Sequence, residues 1–153
     1  MASRRARDEG FTLIELLMAI AIIGILASLA VPSFVQVIAD QRVKAAATNL
    51  FTALNVTRSE AIKHNTRVVL TPKVGNWANG WVVLDPEGGR NLLDENGTGV
   101  PITGGPASVT YNGSGRLSGA TTAPSFTIGE SGKPQRCLSV DLSGRPNVKA
   151  SRC

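Results

Sequence analysis

Hydrophobic and polar positions divide the chain into three stretches. Leu16 to Ala39 carries no charged residue and is dominated by Leu, Ile, Ala and Val. This apolar run is longer than the roughly 20 residues a helix needs to cross a bilayer. From Gln36 to Asn65 there is neither Gly nor Pro, and Val43, Ala47, Leu50, Leu54 and Ala61 recur at helical spacing. Arg42, Lys44, Arg58, Glu60 and Lys63 stand at other positions around the same helix. The stripe predicts an amphipathic helix whose apolar face packs on the rest of the chain. Read together, Phe11 to His64 predict one helix of about 54 residues, roughly 80 Å long. A small protein accommodates such a helix when its first half lies in a membrane or a fibre.

Beyond Asn65 the pattern changes to short β-rich runs. Arg67 to Thr71, Gly80 to Leu84, Ser108 to Tyr111, Ser125 to Ile128, Cys137 to Leu142 and Asn147 to Ala150 read as strands. Between them Pro86-Glu87-Gly88-Gly89, Asn96-Gly97-Thr98-Gly99 and Gly104-Gly105-Pro106 are turn signals. Tyr111 to Leu117 and Val140 to Pro146 each contain Ser-Gly-Arg, read as turns in which Gly supplies a positive φ. One long helix followed by an antiparallel sheet is an α+β plan.

The flanks of the apolar run set its orientation. Arg4, Arg5 and Arg7 precede it, which puts that end in the cytoplasm and the remainder outside the inner membrane. A secretory signal cut near Ser28-Leu29-Ala30 is the competing expectation. Glu15 at the threshold of the run, and the continuation of helix-forming sequence past Ala30, argue against it. Gly24 lowers helix propensity and Pro32 removes a backbone hydrogen bond, so both mark a kink or a loosened turn.

Composition sharpens this picture at the C-terminal end. The net charge is +5 over 153 residues. From Pro101 to Cys153 the charged residues are Arg116, Lys133, Arg136, Arg145, Lys149 and Arg152 against Glu130 and Asp141. Such a surface suits nucleic acid, anionic lipid or an acidic partner, or is simply a solvated basic face. The two cysteines, Cys137 and Cys153, are expected to form a disulfide in an exported chain, with two free thiols as the alternative. His64 is the only histidine and falls at the expected helix end, where a cation complements the helix dipole. No catalytic constellation, metal-ligand spacing or phosphate-binding glycine motif is present, so neither an enzyme nor a cofactor is expected. Asp85-Pro86-Glu87 and Asp94-Glu95-Asn96-Gly97 lack calcium-loop spacing and read as solvated turns.

Gly10-Phe11-Thr12-Leu13-Ile14-Glu15-Leu16-Leu17, opening the apolar run, resembles the processing site of type IV prepilins and type II secretion pseudopilins. The resemblance implies cleavage between Gly10 and Phe11 by prepilin peptidase and methylation of Phe11. It implies a leader of residues 1–10, a transmembrane and assembly helix 11–39, an amphipathic half 40–65 and a periplasmic head 66–153. Glu15 would then be the fifth mature residue, pairing with the N-terminal amine of a neighbouring subunit. A buried carboxylate needs such a partner; the alternative is a carboxylate that complements its own helix N-terminus.

The head resembles the GspH/FimT-type, FimU-like minor pilin domain in Asn76-Trp77, Asn79-Gly80-Trp81, the two Ser-Gly-Arg turns and the Cys137/Cys153 pair. This implies a type IV pilin fold, residence in the bacterial inner membrane as a single-pass protein, and later incorporation into a pilus or pseudopilus beside other pilins. The expected role is to start assembly at or near the tip. Some members of that family bind double-stranded DNA for uptake, which here would use Gly144, Arg145, Lys149 and Arg152. That pattern has a second Arg two positions after Gly-Arg, where this chain has Asn147.

Overall fold

The computed structural model describes residues 11–153, except for the side chains of residues 29–33. The chain forms two compact units, one up to Ile38 and one from Ala39 to Cys153. Helix α1, Leu13–Lys63, begins in the first and ends in the second, passing through Gly24 and Pro32 as a single helix.

In the first unit the apolar side chains Leu13, Ile14, Leu16, Leu17, Met18, Ile20, Ile22, Ile23, Ile25 and Leu26 are all exposed. Among the described residues no helix is long and apolar enough to cross a membrane. Side chains 29–33, in the middle of the span expected from the sequence, fall outside that description.

The second unit explains the helical stripe. Val43, Ala47, Leu50, Leu54 and Ala61 are all buried, joined by Ala46, Ala53 and Thr57. Thr57 is tolerated inside because its hydroxyl donates to the Ala53 carbonyl at 2.6 Å. The helix stops at Asn65, which takes a left-handed φ of 46°. The Thr66 amide donates to the Ala61 carbonyl at 3.1 Å and the Asn65 amide to Ile62 at 3.2 Å. This is a Schellman closure with Asn in the position Gly usually takes.

Eight strands follow: β1 Val68–Pro72, β2 Gly80–Leu84, β3 Asn91–Asn96, β4 Ile102–Gly104, β5 Val109–Tyr111, β6 Ser125–Ile128, β7 Arg136–Val140 and β8 Pro146–Lys149. They form two four-stranded sheets, ordered β3-β2-β1-β5 and β4-β6-β7-β8, and every pairing is antiparallel. The α+β plan holds, with two sheets rather than one. Leu70, Trp81, Val83 and Tyr111 from the first sheet and Phe126, Ile128, Leu138 and Val140 from the second share one core with the helix stripe. Trp77, in a 3-10 turn before β2, meets Phe126 edge to face at 5.0 Å, and its indole N–H donates to the Pro106 carbonyl at 2.9 Å.

Two strands were not expected from the sequence. Asp94, Glu95 and Asn96, read as a solvated turn, lie in β3 and pair with Val82, Trp81 and Gly80. The Lys73 ammonium beside Asp94, the Asn91 side chain donating to Asp94 at 3.2 Å and the Asn49 side chain donating to Glu95 at 3.0 Å satisfy these carboxylates on a strand. Ile102–Gly104 forms β4 against β6, although Gly104-Gly105-Pro106 reads as a turn.

Candidate functional site

At the N-terminal end, Gly10 lies outside the described residues, and Phe11 is exposed. Thr12 and Glu15 form a reciprocal capping box. The Thr12 amide donates to Glu15 Oε2 at 2.8 Å and its hydroxyl to the same oxygen at 2.9 Å, while the Glu15 amide donates to Thr12 Oγ1 at 3.3 Å. In the isolated chain, then, the Glu15 carboxylate satisfies the start of its own helix. Thr12 was not among the expected site residues, yet Thr-x-x-Glu before an apolar run is a legible signal for it.

The C-terminal candidates sit on a different kind of frame. In the turn joining β7 to β8, Asp141 Oδ1 accepts from the Ser143 hydroxyl at 2.5 Å and from the Arg145 amide at 3.0 Å. The Gly144 amide donates to the Asp141 carbonyl at 2.8 Å, and the Asp141 amide to the Arg145 carbonyl at 3.1 Å. The turn from Asn112 to Arg116 repeats this pattern bond for bond. Asn112 Oδ1 accepts from the Ser114 hydroxyl at 2.8 Å and the Arg116 amide at 3.0 Å, and the two backbone bonds recur at 2.8 and 3.0 Å. The shared signal is therefore Asx-x-Ser-Gly-Arg, two positions wider at its start than Ser-Gly-Arg. The Ser143 hydroxyl, and then the Arg145 amide, hold the Asp141 carboxyl below the usual carboxylate range.

Gly144 has φ 86° and is buried, and Arg145, Lys149 and Arg152 are exposed beyond it. None of these three cations takes part in an ion pair among the described residues. Lys149 lies opposite Cys137 in the β7–β8 ladder, and Cys137 is disulfide-bonded to Cys153. The structure thus brings Gly144, Arg145 and Lys149 onto one hairpin whose tail, with Arg152, is pinned by the disulfide.

Beneath the paired turns lie Tyr111 and Arg58. The Tyr111 hydroxyl and Arg58 Nε are buried and have no hydrogen-bond partner among the described residues. Burial pushes the Tyr111 phenol up to about 12, with Arg58 opposing the rise and Asp141 adding to it. At the end of α1, His64 Nδ1 lies 2.9 Å from Glu87 and Nε2 lies 3.3 Å from Glu60. Among the described residues no group of three or more His, Cys, Asp or Glu could hold a metal ion.

Residues 46–144 match the model of the family described as type II transport protein GspH. Residues 5–31 match the prokaryotic N-terminal methylation motif. The chain is 35% identical over 106 residues to the type IV major pilin protein PilA of Myxococcus xanthus, covering 65% of this chain and 48% of that protein. It therefore spans about half the length of this relative. Two crystal structures of the type IV minor pilin FimU of Pseudomonas aeruginosa share the fold. They give TM-scores of 0.59 and 0.60 at 24% and 23% identity, covering 69% and 71% of this chain and 91% and 89% of theirs.

Proposed function

The chain belongs to the GspH family of type IV pilin-like proteins, and on that footing we propose that it is a minor pilin or pseudopilin, cut after Gly10, methylated on Phe11 and built into a fibre at or near its tip. The observation that carries this reading is the pairing, on one chain, of an N-terminal methylation motif over residues 5–31 with a GspH head over residues 46–144. The uniformly exposed apolar side chains from Leu13 to Leu26 support it. A contiguous apolar surface of that extent needs cover, which the inner membrane supplies first and neighbouring pilins afterwards.

Glu15 is the element that converts anchor into subunit. Among the described residues its carboxylate is held by Thr12, so a neighbour's N-terminal amine offers it a charged partner in place of a neutral cap. Prepilin peptidase, the inner membrane and other pilins are the partners this role requires, with the head on the periplasmic side. The role is structural rather than catalytic. Mass spectrometry of the mature N-terminus tests it. A methylated Phe11 is expected, whereas a start near Val31 would mark a secreted protein and overturn the reading.

A second reading rests on the exposed Arg145, Lys149 and Arg152 of the disulfide-pinned tail: binding of double-stranded DNA for uptake. Cations free of ion pairs neutralise phosphates, with affinity that falls steeply as salt rises. A gel-shift titration of wild type against Arg145→Ala tests this reading, and no shift at low salt removes it.

A further inference from the structure

Two four-stranded sheets leave four edges. The outer side of β5 is already occupied, because Leu117 bridges Tyr111 and the Ser118 amide donates to the Thr110 carbonyl at 2.8 Å. Strand β4 is three residues long and ends at Gly104. The longer open edges are therefore β3, of six residues, and β8, of four. They carry opposite charge. Within β3 the charged residues are Asp94, already paired with Lys73, and Glu95, with Leu92 and Leu93 half-buried beside them. Strand β8 carries Lys149, and from Leu142 to Cys153 there is no acidic residue. Alongside β8 runs a groove of about 620 Å³ against α1, floored by Ala47, Phe51 and Val148 and edged by Lys44 and by Arg136, whose guanidinium pairs with Asp40 at 3.3 Å.

Open edges are normally blunted against pairing with other chains, often by charge. Here the charges block only like pairing. Two β3 edges would oppose acid to acid and two β8 edges base to base, which is unfavourable for residues directly across a ladder. An unlike pair is favourable, and the groove leaves room for the incoming strand. We propose that the β3 edge of a second copy of this chain adds to the β8 edge, its Glu95 meeting Lys149 and Lys44. The contact is heterologous, so it propagates head to tail instead of closing as a symmetric dimer. This inference rests on the fibre-subunit reading for its setting but not for its test.

The test replaces Asn147, exposed on β8, with the photo-crosslinking residue p-benzoylphenylalanine in the full chain, in cells that make it, and maps the crosslinked peptide by mass spectrometry. The expected product joins position 147 to residues 91–96 of another copy. Lys149→Glu should lower its yield about fivefold, and adding Glu95→Lys in the same chain should restore it. A crosslink to residues 146–150 of another copy, to an unrelated protein, or to nucleic acid would overturn the proposal, as would no crosslink in a chain whose Cys137–Cys153 bond is intact. The readout needs no fibres. A fibre defect with the crosslink intact bears on the proposed function alone.

Discussion

Gly144 lies directly against Gly115: a Cβ on Gly144 would strike the Gly115 carbonyl oxygen and come within 3.0 Å of the Tyr111 ring. The two Asx-x-Ser-Gly-Arg turns thus clasp each other glycine to glycine, linking the end of β5 in one sheet to the β7–β8 connection in the other. Each glycine also holds a positive φ, 71° and 86°. Gly144→Ala combines a left-handed backbone with a clash against main-chain atoms, and should destabilise the chain by about 2–4 kcal/mol. Thermal unfolding followed by circular dichroism measures it. Arg145→Ala, one residue along and exposed, should leave the midpoint nearly unchanged.

The clasp is also sensitive to acid. The folded Asp141 carboxyl lies below its ordinary range because the Ser143 hydroxyl and the Arg145 amide bond its charged form. A depressed folded pKa adds stability that is complete above the unfolded value, about 3.9 for Asp, and is lost as pH falls through the folded value. Asp94 behaves alike through Lys73 and Asn91. Stability should therefore decline below about pH 4. Asp141→Asn should flatten part of that decline, read as the difference between the acid unfolding curves of the two proteins.

Much of this was legible in the chain itself. The helix stripe at Val43, Ala47, Leu50, Leu54 and Ala61 names core residues because a long helix imposes its period whatever it packs against. The Ser-Gly-Arg repeats marked both turns because glycine there is dictated by local backbone geometry. Strand β3 was hidden because Asn91-Leu92-Leu93-Asp94-Glu95-Asn96 has no alternation, and its acids are satisfied by Lys73 and Asn49 from elsewhere in the fold. Strand β4 was hidden because Gly104 and Gly105 read as a turn until β6 pairs with them. The unpartnered Tyr111 hydroxyl and Arg58 Nε leave no trace in sequence, since each depends on what surrounds it.

The double duty of Glu15 can be separated by two substitutions. Glu15→Gln keeps an oxygen for the Thr12 amide and hydroxyl but removes the charge, whereas Thr12→Ala removes the hydroxyl and keeps the charge. If charge serves assembly, Glu15→Gln should cut fibre yield severely while helix content is unchanged. Thr12→Ala should weaken the helix start by about 1 kcal/mol and leave fibres present. Electron microscopy of sheared fibres beside circular dichroism of the same variants reads both, and equal fibre yields from the two would remove the assembly role of the charge.

The disulfide holds β8 and the basic tail to the sheet, closing a loop with a sequence separation of 16. Cys153→Ser should lower stability by about 3 kcal/mol through the greater freedom of the unfolded chain. It should also free Arg152, so a DNA-binding defect in this variant larger than in Arg152→Ala would show that the pinned geometry matters and not only the charge. Denaturant unfolding with and without reductant checks the first part, because reductant should reproduce the serine variant in wild type and leave the variant unmoved.

Tyr111 presents the opposite case, a polar group whose removal helps. Its ring is wholly buried, and its hydroxyl has no partner among the described residues. A buried hydroxyl without a hydrogen bond costs about 1–3 kcal/mol. Tyr111→Phe keeps the ring against Gly144 and removes only that oxygen, so it should raise stability by about 1 kcal/mol at neutral pH. The same substitution should change alkaline behaviour. The folded phenol is pushed up to about 12, so the folded state holds its proton more tightly than the unfolded chain does. A raised folded pKa gives stability that is full below the unfolded value, about 10, and is lost as pH rises through the folded value. Wild type should therefore lose stability between about pH 10 and 12 relative to Tyr111→Phe. Denaturant melts of both proteins across that range measure the difference, and parallel curves would mean that Tyr111 finds a partner for its hydroxyl in solution.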